Sequence, residues 1–358
     1  MKLHNYRNYS EQTFNFDKGL NVIYGGNAEG KTNLVEAIYY TGLGKSPRTP
    51  RDKELIKWGE SYAMVKIIAE KKYRKHCIEI YIDAQGKKRI LIDKIPITKI
   101  SSLIGVLNIV YFSPDEMDII KESPIERRRF LDISLSQQKK LYFNTLVRYN
   151  KIIAQRNKLL KQNLSAEKIK ETLPIWDIQL AKAGAYLIKE RYNFTERLKA
   201  EVKKCHNLLT SGKEDINIEY ESRLSNAEIK GIEEQILTLL TDSYDKDIYL
   251  KYTTIGAHRD DLKISINGVD VRKFASQGQK RTTALSLKLA ELSLFEQETG
   301  EKPILILDDV LSELDETRQK MLLESIGGVQ TFLTCTEYTK KANKYLIVKG
   351  TLAKSSKE

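Results

Sequence analysis

The segment from residue 25 to residue 32 constrains the fold of this chain more than any other. It satisfies the pattern G-x-x-x-x-G-K-[ST] and reads Gly25-Gly26-Asn27-Ala28-Glu29-Gly30-Lys31-Thr32. The apolar run from Asn21 to Tyr24 predicts a strand before it, and a helical pattern begins near Gly30. Glycines let the backbone wrap around phosphate, so that N–H groups of the loop and helix start point at the anion. The sequence therefore predicts an α/β fold in which all eight residues bind a nucleotide.

An acidic strand end supplies the partner that such a loop needs. Lys31 is expected to reach the β- and γ-phosphates of ATP, and the Thr32 hydroxyl to bind Mg²⁺. The run from Ile304 to Leu307 predicts a buried strand, and Asp308 and Asp309 follow it directly. We expect Asp308 to hold Mg²⁺ and Asp309 to orient or deprotonate the attacking water. Strands often end in solvent-exposed acidic residues, so the roles of Asp308 and Asp309 are predicted only because the chain also contains the phosphate-binding loop.

A second anion-binding element is predicted at Ser276-Gln277-Gly278-Gln279, where a long helical pattern begins. The hydroxyl of Ser276 and the N–H groups at a helix start can bind phosphate. The first loop already occupies one face of that phosphate, so the economical arrangement places Ser276, Gly278 and Gln279 against the nucleotide of another subunit. Two chains would then enclose two ATP molecules as an ATP-dependent homodimer. A plain helix cap is the alternative interpretation.

The remaining pattern predicts an insertion of helices. A β-hairpin is expected around Gln85-Gly86-Lys87, and a strand over 105–112. Long amphipathic helices are expected over 142–160 and, after a break near Pro174, over 176–202, as an antiparallel pair. Strands are expected over 216–220, 248–253 and 262–266, and a frayed tail over 354–358. We predict an ATPase head (lobe I) from residues 1–114 and 251–358, and an inserted helical lobe (lobe II) from 115–250.

Composition and charge narrow the classes of partner. The chain has 358 residues, enough for two domains, and a formal net charge of +12. Residues 121–170 hold 13 Lys or Arg against 4 Asp or Glu, which favours a polyanionic partner. A helix face that is merely exposed to solvent can show the same excess of basic residues. The sequence contains neither a membrane-length apolar run nor an apolar leader, so a cytoplasmic protein with no membrane association is expected. The best candidates for DNA phosphate contacts share one helix: Lys139, Lys140, Arg148, Lys151, Lys158 and Lys161.

Several further stretches carry a resemblance that spans nearly the whole chain. They are Asn5-Tyr6-Arg7-Asn8-Tyr9, residues 30–38, Phe112-Ser113-Pro114-Asp115, Arg127-Arg128-Arg129, Gly256-Ala257-His258-Arg259-Asp260-Asp261 and residues 307–315. With the loop and the Ser276 segment, they resemble the ABC-type ATPase heads of the SMC family and, more closely, the bacterial RecF recombination-repair family. The expected fold is an ABC-type P-loop ATPase head with a mixed sheet and an inserted α-helical lobe.

The resemblance implies a function and further site residues. Members of that family bind double-stranded DNA when ATP is bound, dimerise on ATP, hydrolyse it slowly and work with RecR and RecO in loading RecA at gaps. Arg7, Asn8 and Asn33 would lie beside the nucleotide, and residues 312–315 across the dimer axis. Lys31, Asp309 and Ser276 would be the catalytic residues. A purely architectural SMC-like DNA tether is the alternative, and a transporter ATPase subunit the third.

Three departures from related ATPases bear on the chemistry. Ala28-Glu29 precedes Gly30 where relatives usually carry a glycine, which places a carboxylate near the phosphates. No glutamine follows Tyr111 to Pro114, where transporter ATPases carry a metal contact. No switch histidine follows Thr334, since the next residues are Cys335-Thr336-Glu337, and slow hydrolysis is the consistent expectation.

Overall fold

The computed structural model describes residues 1–121 and 123–356. The chain divides into two compact units: the first comprises Met1–Met117 and Ala284–Glu358, and the second Asp118–Thr283. The strands are β1 Lys2–Tyr6, β2 Tyr9–Thr13, β3 Leu20–Tyr24, β4 Tyr62–Glu70, β5 Lys75–Asp83, β6 Lys88–Ile92, β7 Ile95–Ile97, β8 Ile109–Phe112, β9 Ile216–Glu221, β10 Asp261–Ile266, β11 Val269–Asp270, β12 Ile304–Asp308, β13 Thr331–Cys335, β14 Asn343–Val348 and β15 Thr351–Ser356. The α-helices are α1 Lys31–Leu43, α2 Asp118–Lys121, α3 Pro124–Gln138, α4 Lys140–Leu160, α5 Ala166–Thr210, α6 Ile229–Asp242, α7 Tyr244–Leu250, α8 Val271–Phe274, α9 Gln277–Thr299 and α10 Glu316–Ser325. Short 3-10 helices lie at Asp52–Leu55, Ile100–Ser102, Pro114–Met117 and Leu311–Glu313.

Two sheets form the first unit. One is antiparallel, with strand order β2-β1-β4-β5-β6-β7, and contains the predicted hairpin as β5 and β6. The other has the order β15-β14-β3-β13-β12-β8, and all of its neighbours are parallel except the β14–β15 pair. The mixed sheet is therefore confirmed. Because β3, β8, β12 and β13 run in one direction, their carboxyl ends meet at one edge, where the phosphate loop leaves β3.

Helix α1 lies between the two sheets of this unit. It contacts β4 and β5 of the antiparallel sheet and β8, β12 and β13 of the mixed sheet. Every residue from Leu34 to Leu43 is buried, which explains why the helix is apolar on all sides apart from Glu36. The loop that starts this helix is thus anchored to the centre of the unit.

The second unit is built on long helices and a small sheet. Helix α4 packs on α5, and α5 on α6, while β9, β10 and β11 form an antiparallel sheet. The compact second unit includes residues 251–283, which the sequence had assigned to the head, because β10 pairs along its whole length with β9. The division between the units falls inside α9.

Buried ion pairs hold these helices together. Arg156 is fully buried and binds Asp177 Oδ1 and Asp247 Oδ2, each at 2.7 Å, and Thr253 Oγ1 at 2.9 Å. Arg191 is also buried, and it donates to Asp132 at 2.7 Å and to the carbonyl oxygen of residue 257 at 2.6 Å. Each arginine joins groups that are far apart in the sequence, so each contributes to the packing of several elements.

Four sequence-based expectations for secondary structure are wrong or incomplete. Helix α5 runs through Pro174 without a break, because the proline lies on its exposed face, where water can hydrate the carbonyl that it leaves unpaired. A strand was expected over 248–253, but residues 248–250 belong to α7. The end of this helix is held by Asp247, whose Oδ1 accepts from the N–H of Thr254 at 3.0 Å. The strand expected over 105–112 covers Ile109–Phe112 only. The tail is ordered as β15 up to Ser356, and residues 357–358 lie outside the described residues.

Candidate functional site

The backbone of the phosphate loop requires its glycines. Gly25 and Gly30 have φ angles of 145° and 115°, a region that only glycine enters readily. A Cβ atom at Gly25 would lie 2.4 Å from the Ile347 carbonyl oxygen, and one at Gly30 would lie 2.6 Å from Asn8 Nδ2. Gly26 and Asn27 are exposed between them. The predicted strand, loop and helix are all present, and the loop is fixed by close backbone approach.

Lys31 extends over the loop that it follows. Its Nζ donates to the carbonyl oxygens of Gly25 at 2.9 Å and Gly26 at 2.6 Å. The ammonium group is thereby held at the mouth of the loop by main-chain acceptors. This places a positive charge beside the N–H groups at the start of α1, which is the arrangement that favours a bound polyphosphate.

Asp308 and Thr32 meet at the carboxyl edge of the mixed sheet. The Thr32 hydroxyl donates to Asp308 Oδ1 at 3.1 Å, although 276 residues separate them in the sequence. Thr334 Oγ1 donates to the same oxygen at 2.6 Å, and the Tyr111 hydroxyl donates to Oδ2 at 3.2 Å. Burial raises the pKa of Asp308, and the three hydroxyl donors only partly oppose that effect. A buried carboxylate whose hydrogen-bond partners are all neutral hydroxyls fits a divalent cation, since hydroxyl and carboxylate oxygens are Mg²⁺ ligands.

Asp309 follows in a strained backbone conformation. Its φ is 54°, its N–H donates to Thr334 Oγ1 at 2.9 Å, and its carbonyl accepts from Ser312 Oγ at 2.8 Å. The residue is exposed, unlike Asp308 beside it. Non-glycine residues stay in this conformation only where the surroundings fix them, and such strain clusters at functional sites. The two aspartates are therefore presented differently, one held in the sheet edge and one projecting from it.

Arg7 is bound to a buried carboxylate behind the loop. Its Nε and Nη2 donate to Glu36 Oε2 and Oε1 at 2.8 and 2.7 Å. Ser46 Oγ donates to Glu36 Oε1 at 2.6 Å, and Arg48 Nη1 lies 3.7 Å from Oε2. Burial alone would lower the pKa of Arg7, but the hydrogen bonds and charge of Glu36 outweigh it and raise that pKa. In this structure the guanidinium of Arg7 serves to fix α1, one turn beyond Lys31.

Asn8 joins the loop to the first turn of α1. Its Nδ2 donates to the Glu29 carbonyl oxygen at 2.9 Å, and its Oδ1 accepts from Asn33 Nδ2 at 2.9 Å. Asn33 Oδ1 in turn accepts from Arg48 Nη1 at 2.9 Å. The side chain of Glu29 binds the main-chain N–H of Lys349. All the residues predicted around the loop thus lie in one hydrogen-bonded region of the first unit.

Sequence reasoning did not find four residues of this region: Tyr111, Thr334, Glu36 and Arg48. Thr334 and Tyr111 are the penultimate residues of β13 and β8, the two strands beside β12, and only the strand order brings them to Asp308. Glu36 carried a signal, because it is the one charged side chain in the apolar stretch from Leu34 to Leu43. An uncompensated carboxylate in a buried helix predicts a cationic partner. Nothing in the sequence pattern marked Arg48.

The Ser276 segment belongs to the second unit and forms a capping box at the start of α9. Ser276 Oγ accepts from the N–H of Gln279 at 3.2 Å, and Gln279 Oε1 accepts from the N–H of Ser276 at 2.9 Å. Gln279 Nε2 also donates to Glu214 Oε1 at 3.0 Å. Gly278 lies between them, and the nearest atom to a Cβ placed there is Ser276 Oγ at 4.0 Å. Packing among residues 1–121 and 123–356 therefore does not explain the glycine.

Some basic residues of the second unit are paired within the fold and others are exposed. Arg127 is buried and pairs with both oxygens of Asp261 at 2.6 and 2.8 Å, and Arg128 donates to the carbonyl oxygen of Asp260. Lys139 pairs with Glu190 at 2.7 Å. The remaining basic side chains predicted on α4 and just after it are exposed: Lys140, Arg148, Lys151, Lys158 and Lys161. These five form what we call the basic face of α4.

His258 has a structural environment. Its Nδ1 lies 2.9 Å from the Tyr149 hydroxyl, and its Nε2 lies 3.0 Å from the Thr253 carbonyl oxygen. The neutral tautomer with a proton on Nε2 satisfies both contacts. Burial lowers the pKa of His258 to about 4, so the ring is neutral near pH 7. Both ring nitrogens are engaged within the fold, which fits a structural role for His258.

Comparison with known proteins places this site in a family context. The RecF/RecN/SMC N terminal domain family matches residues 1–349. The DNA replication and repair protein RecF of Clostridium kluyveri is 47% identical over 336 residues, covering 94% of this chain and 92% of that protein. The RecF protein of Clostridium tetani is 46% identical over 338 residues, with the same coverage.

Solved structures agree with the sequence comparison. A structure described as the recombination mediator protein RecF-ATP in the RecFOR pathway has a TM-score of 0.90 and 39% identity, covering 99% of this chain and 98% of that one. A head domain of Smc bound to the C-winged helix domain of ScpA has a TM-score of 0.55 at 18% identity, with coverages of 94% and 88%, and shares the fold. Within residues 1–121 and 123–356, none of the helices combines the length and apolarity needed to cross a membrane.

Proposed function

The chain belongs to the RecF family, and from that premise we propose that it is an ATP-dependent DNA-binding clamp of recombinational DNA repair. ATP binding drives dimerisation and sequence-independent binding of double-stranded and gapped DNA, and slow hydrolysis releases the DNA. The clamp acts with RecR and RecO to support RecA loading. The observation that carries this proposal is the 3.1 Å hydrogen bond between Thr32 and Asp308, which joins the phosphate loop to the acidic strand.

The first unit would bind ATP and Mg²⁺ through the residues already described. The loop from Gly25 to Thr32 would cradle the phosphates, with Lys31 on the β- and γ-phosphates. Thr32 and Asp308 would hold Mg²⁺, which when bound neutralises phosphate charge and orients the nucleotide. The relative described as RecF-ATP, at 39% identity over nearly the whole chain, supports ATP as the nucleotide.

A second copy of the chain would complete the site with Ser276, Gly278 and Gln279. The capping box uses Ser276 Oγ as an acceptor, so its O–H remains a donor for a γ-phosphate oxygen. Glycine is less favourable than alanine in a helix, and no contact among the described residues requires a glycine at position 278. The close approach of a phosphate to this backbone accounts for that choice.

Hydrolysis would depend on Asp309 and be slow. The exposed carboxylate of Asp309 is the group available to orient or deprotonate water next to Asp308. Cys335, the last residue of β13, occupies the place where a switch histidine would stand. Burial raises the pKa of the Cys335 thiol to about 11, so it stays protonated and cannot act as a base near pH 7. ATP then serves as a switch for DNA binding.

The basic face of α4 is the proposed DNA contact. Its five side chains are exposed and carry charge without a base-reading pattern, which suits phosphate contacts and sequence-independent binding. Changing Lys151 and Lys158 together to Glu is expected to weaken duplex binding and to reduce its salt dependence. The exposed Lys99 changed to Glu, in the first unit, is the matched control and should bind DNA like the wild type.

Sedimentation velocity with ATP, ADP and no nucleotide tests the clamp. The wild type should be a dimer in ATP only, and both Gly278→Ala and Ser276→Arg should remain monomers while still binding nucleotide. Gly231→Ala is the matched control, because it changes a glycine in the first turn of another helix, α6. A wild-type dimer that is independent of ATP, or a Gly278→Ala protein that dimerises normally, would contradict the scheme.

A further inference from the structure

The turn between the last two strands lies against the phosphate loop. Strands β14 and β15 pair from Val348↔Thr351 onward, so the two residues between them form a tight hairpin turn. Both residues are left-handed, with φ of 48° at Lys349 and 73° at Gly350, which is the type I′ geometry. A Cβ at Gly350 would lie 2.4 Å from the Asn8 carbonyl oxygen, so the turn is seated tightly on the chain next to the loop.

Glu29 binds both N–H groups of that turn. Its side-chain carboxylate accepts from the N–H of Lys349, and its carbonyl oxygen accepts from the N–H of Gly350 at 2.9 Å. The same carbonyl accepts from Asn8 Nδ2 at 2.9 Å. One residue of the loop therefore receives three hydrogen bonds from two parts of the chain that lie more than 300 residues apart.

The neighbouring loop residues need such a restraint. Ala28 has a φ of 62°, in the left-handed region that a non-glycine residue rarely adopts. Asn8, which holds the Glu29 carbonyl, also binds Asn33 in the first turn of α1. Because Glu29 follows the strained residue and precedes Gly30, its bonds fix the direction in which the loop enters the helix. The Glu29 carboxylate, expected from the sequence to lie near phosphate, is engaged by a main-chain donor instead.

We propose that Glu29 is a positioning residue for nucleotide binding and that the β14–β15 turn is part of the nucleotide site. This rests on the proposed function, in which the loop binds ATP. The carboxylate acts through the loop backbone: it satisfies the N–H of Lys349 and holds the preceding peptide groups in the phosphate-binding conformation before ATP arrives. The opposite role, electrostatic repulsion of the phosphates by Glu29, predicts effects of the opposite sign.

Affinity measurements on three variants distinguish the two roles. With a fluorescent ATP analogue and Mg²⁺, Glu29→Ala should raise the Kd about 10-fold, because a hydrogen bond to a charged group is lost. Glu29→Gln keeps an acceptor and should stay within about 3-fold of the wild type, since a neutral hydrogen bond is weaker than a charged one. Lys354→Ala removes an exposed side chain of β15 that lies outside the turn, so it is the matched control and should bind like the wild type.

Hydrogen exchange of the nucleotide-free protein gives a readout that does not depend on ATP. In Glu29→Ala the amides of residues 26–31 and 349–350 should exchange faster than in the wild type, whereas Glu29→Gln should restore their protection. Unchanged exchange, or tighter ATP binding by Glu29→Ala and Glu29→Gln alike, would overturn the positioning role while leaving the proposed function intact. A wild-type protein that does not bind the analogue would refute the proposed function, and this inference with it.

Discussion

Replacing Thr334 with valine tests whether the sheet edge controls both aspartates. Thr334 is buried as the penultimate residue of β13, and its hydroxyl makes two hydrogen bonds. It donates to Asp308 Oδ1 at 2.6 Å and accepts from the N–H of Asp309 at 2.9 Å. Valine is also branched at Cβ but carries a methyl group in place of the hydroxyl, so Thr334→Val removes both hydrogen bonds.

The expected loss can be estimated from these two contacts. A donor left without its partner costs about 1–3 kcal/mol, and a hydrogen bond to a charged group contributes about 1.5–3 kcal/mol. The Asp309 N–H is only partly buried, so the lower part of the first range applies. We therefore expect Thr334→Val to reduce the free energy of unfolding by about 3 kcal/mol. A strained Asp309 that is released from its anchor should also lower kcat for ATP about 100-fold, since a misplacement of about 1 Å has that effect.

Thr331→Val is the matched control for this experiment. Thr331 is equally buried on the same strand, but its hydroxyl makes a single bond to the Val329 carbonyl oxygen at 3.2 Å. Urea unfolding should show a loss of about 1 kcal/mol for this variant, and its kcat should be close to that of the wild type. Thr334→Ser keeps the hydroxyl and should retain turnover. A Thr334→Val protein whose kcat matches that of Thr331→Val would refute the assignment of Thr334 as the anchor of Asp309.

Three further outcomes follow from particular contacts. Gly30→Ala should abolish binding of the ATP analogue in a folded protein, checked by circular dichroism, because a Cβ would lie 2.6 Å from Asn8 Nδ2 at a φ of 115°. Arg156→Met should lower the free energy of unfolding by about 3–5 kcal/mol, because it leaves two buried carboxylates without their cation, whereas Arg148→Met, exposed on the same helix, should change it by less than about 0.5 kcal/mol. His258 has a folded-state pKa of about 4, below its ordinary 6.5, so the unfolded chain takes up the proton first as the pH falls. The free energy of unfolding should therefore keep the whole contribution of His258 above pH 6.5 and lose up to about 3 kcal/mol as the pH falls towards 4. Denaturant titrations across that range should show a smaller decline for His258→Gln.

The parts of the site that the sequence predicts are those encoded in one continuous segment. The strand before Gly25, the loop and α1 can be predicted from local residue spacing alone. The same is true of the apolar strand β12 and of Asp308 at its end. The hairpin of β5 and β6 was predictable for the same reason, since a turn signal lies between two alternating runs. Each of these features follows from the periodicity of apolar residues and a turn signal within about 20 residues of sequence.

The parts that the sequence does not predict depend on strand order or on burial. Thr334 reaches Asp308 only because β13 lies between β3 and β12, and a one-dimensional pattern contains no information on that order. Pro174 suggested a break because proline removes a helical hydrogen bond, but the residue is exposed, so water can bind the carbonyl oxygen left unpaired. The run over 248–253 has strand-forming residues, yet the tertiary contacts of Asp247 hold its first part as helix.

The two interpretations of the Ser276 segment, a helix cap and a phosphate site, are compatible in the structure. The capping box explains Ser276 and Gln279 completely, because each side chain satisfies the N–H of the other. It does not explain Gly278, where alanine would extend the same helix at lower cost and would meet no atom closer than 4.0 Å. The cap orients the serine hydroxyl and the helix start, and the glycine leaves their backbone open to approach. A segment selected for capping alone would carry the first feature without the second, so Gly278 is the residue on which the proposed contact with a partner nucleotide depends.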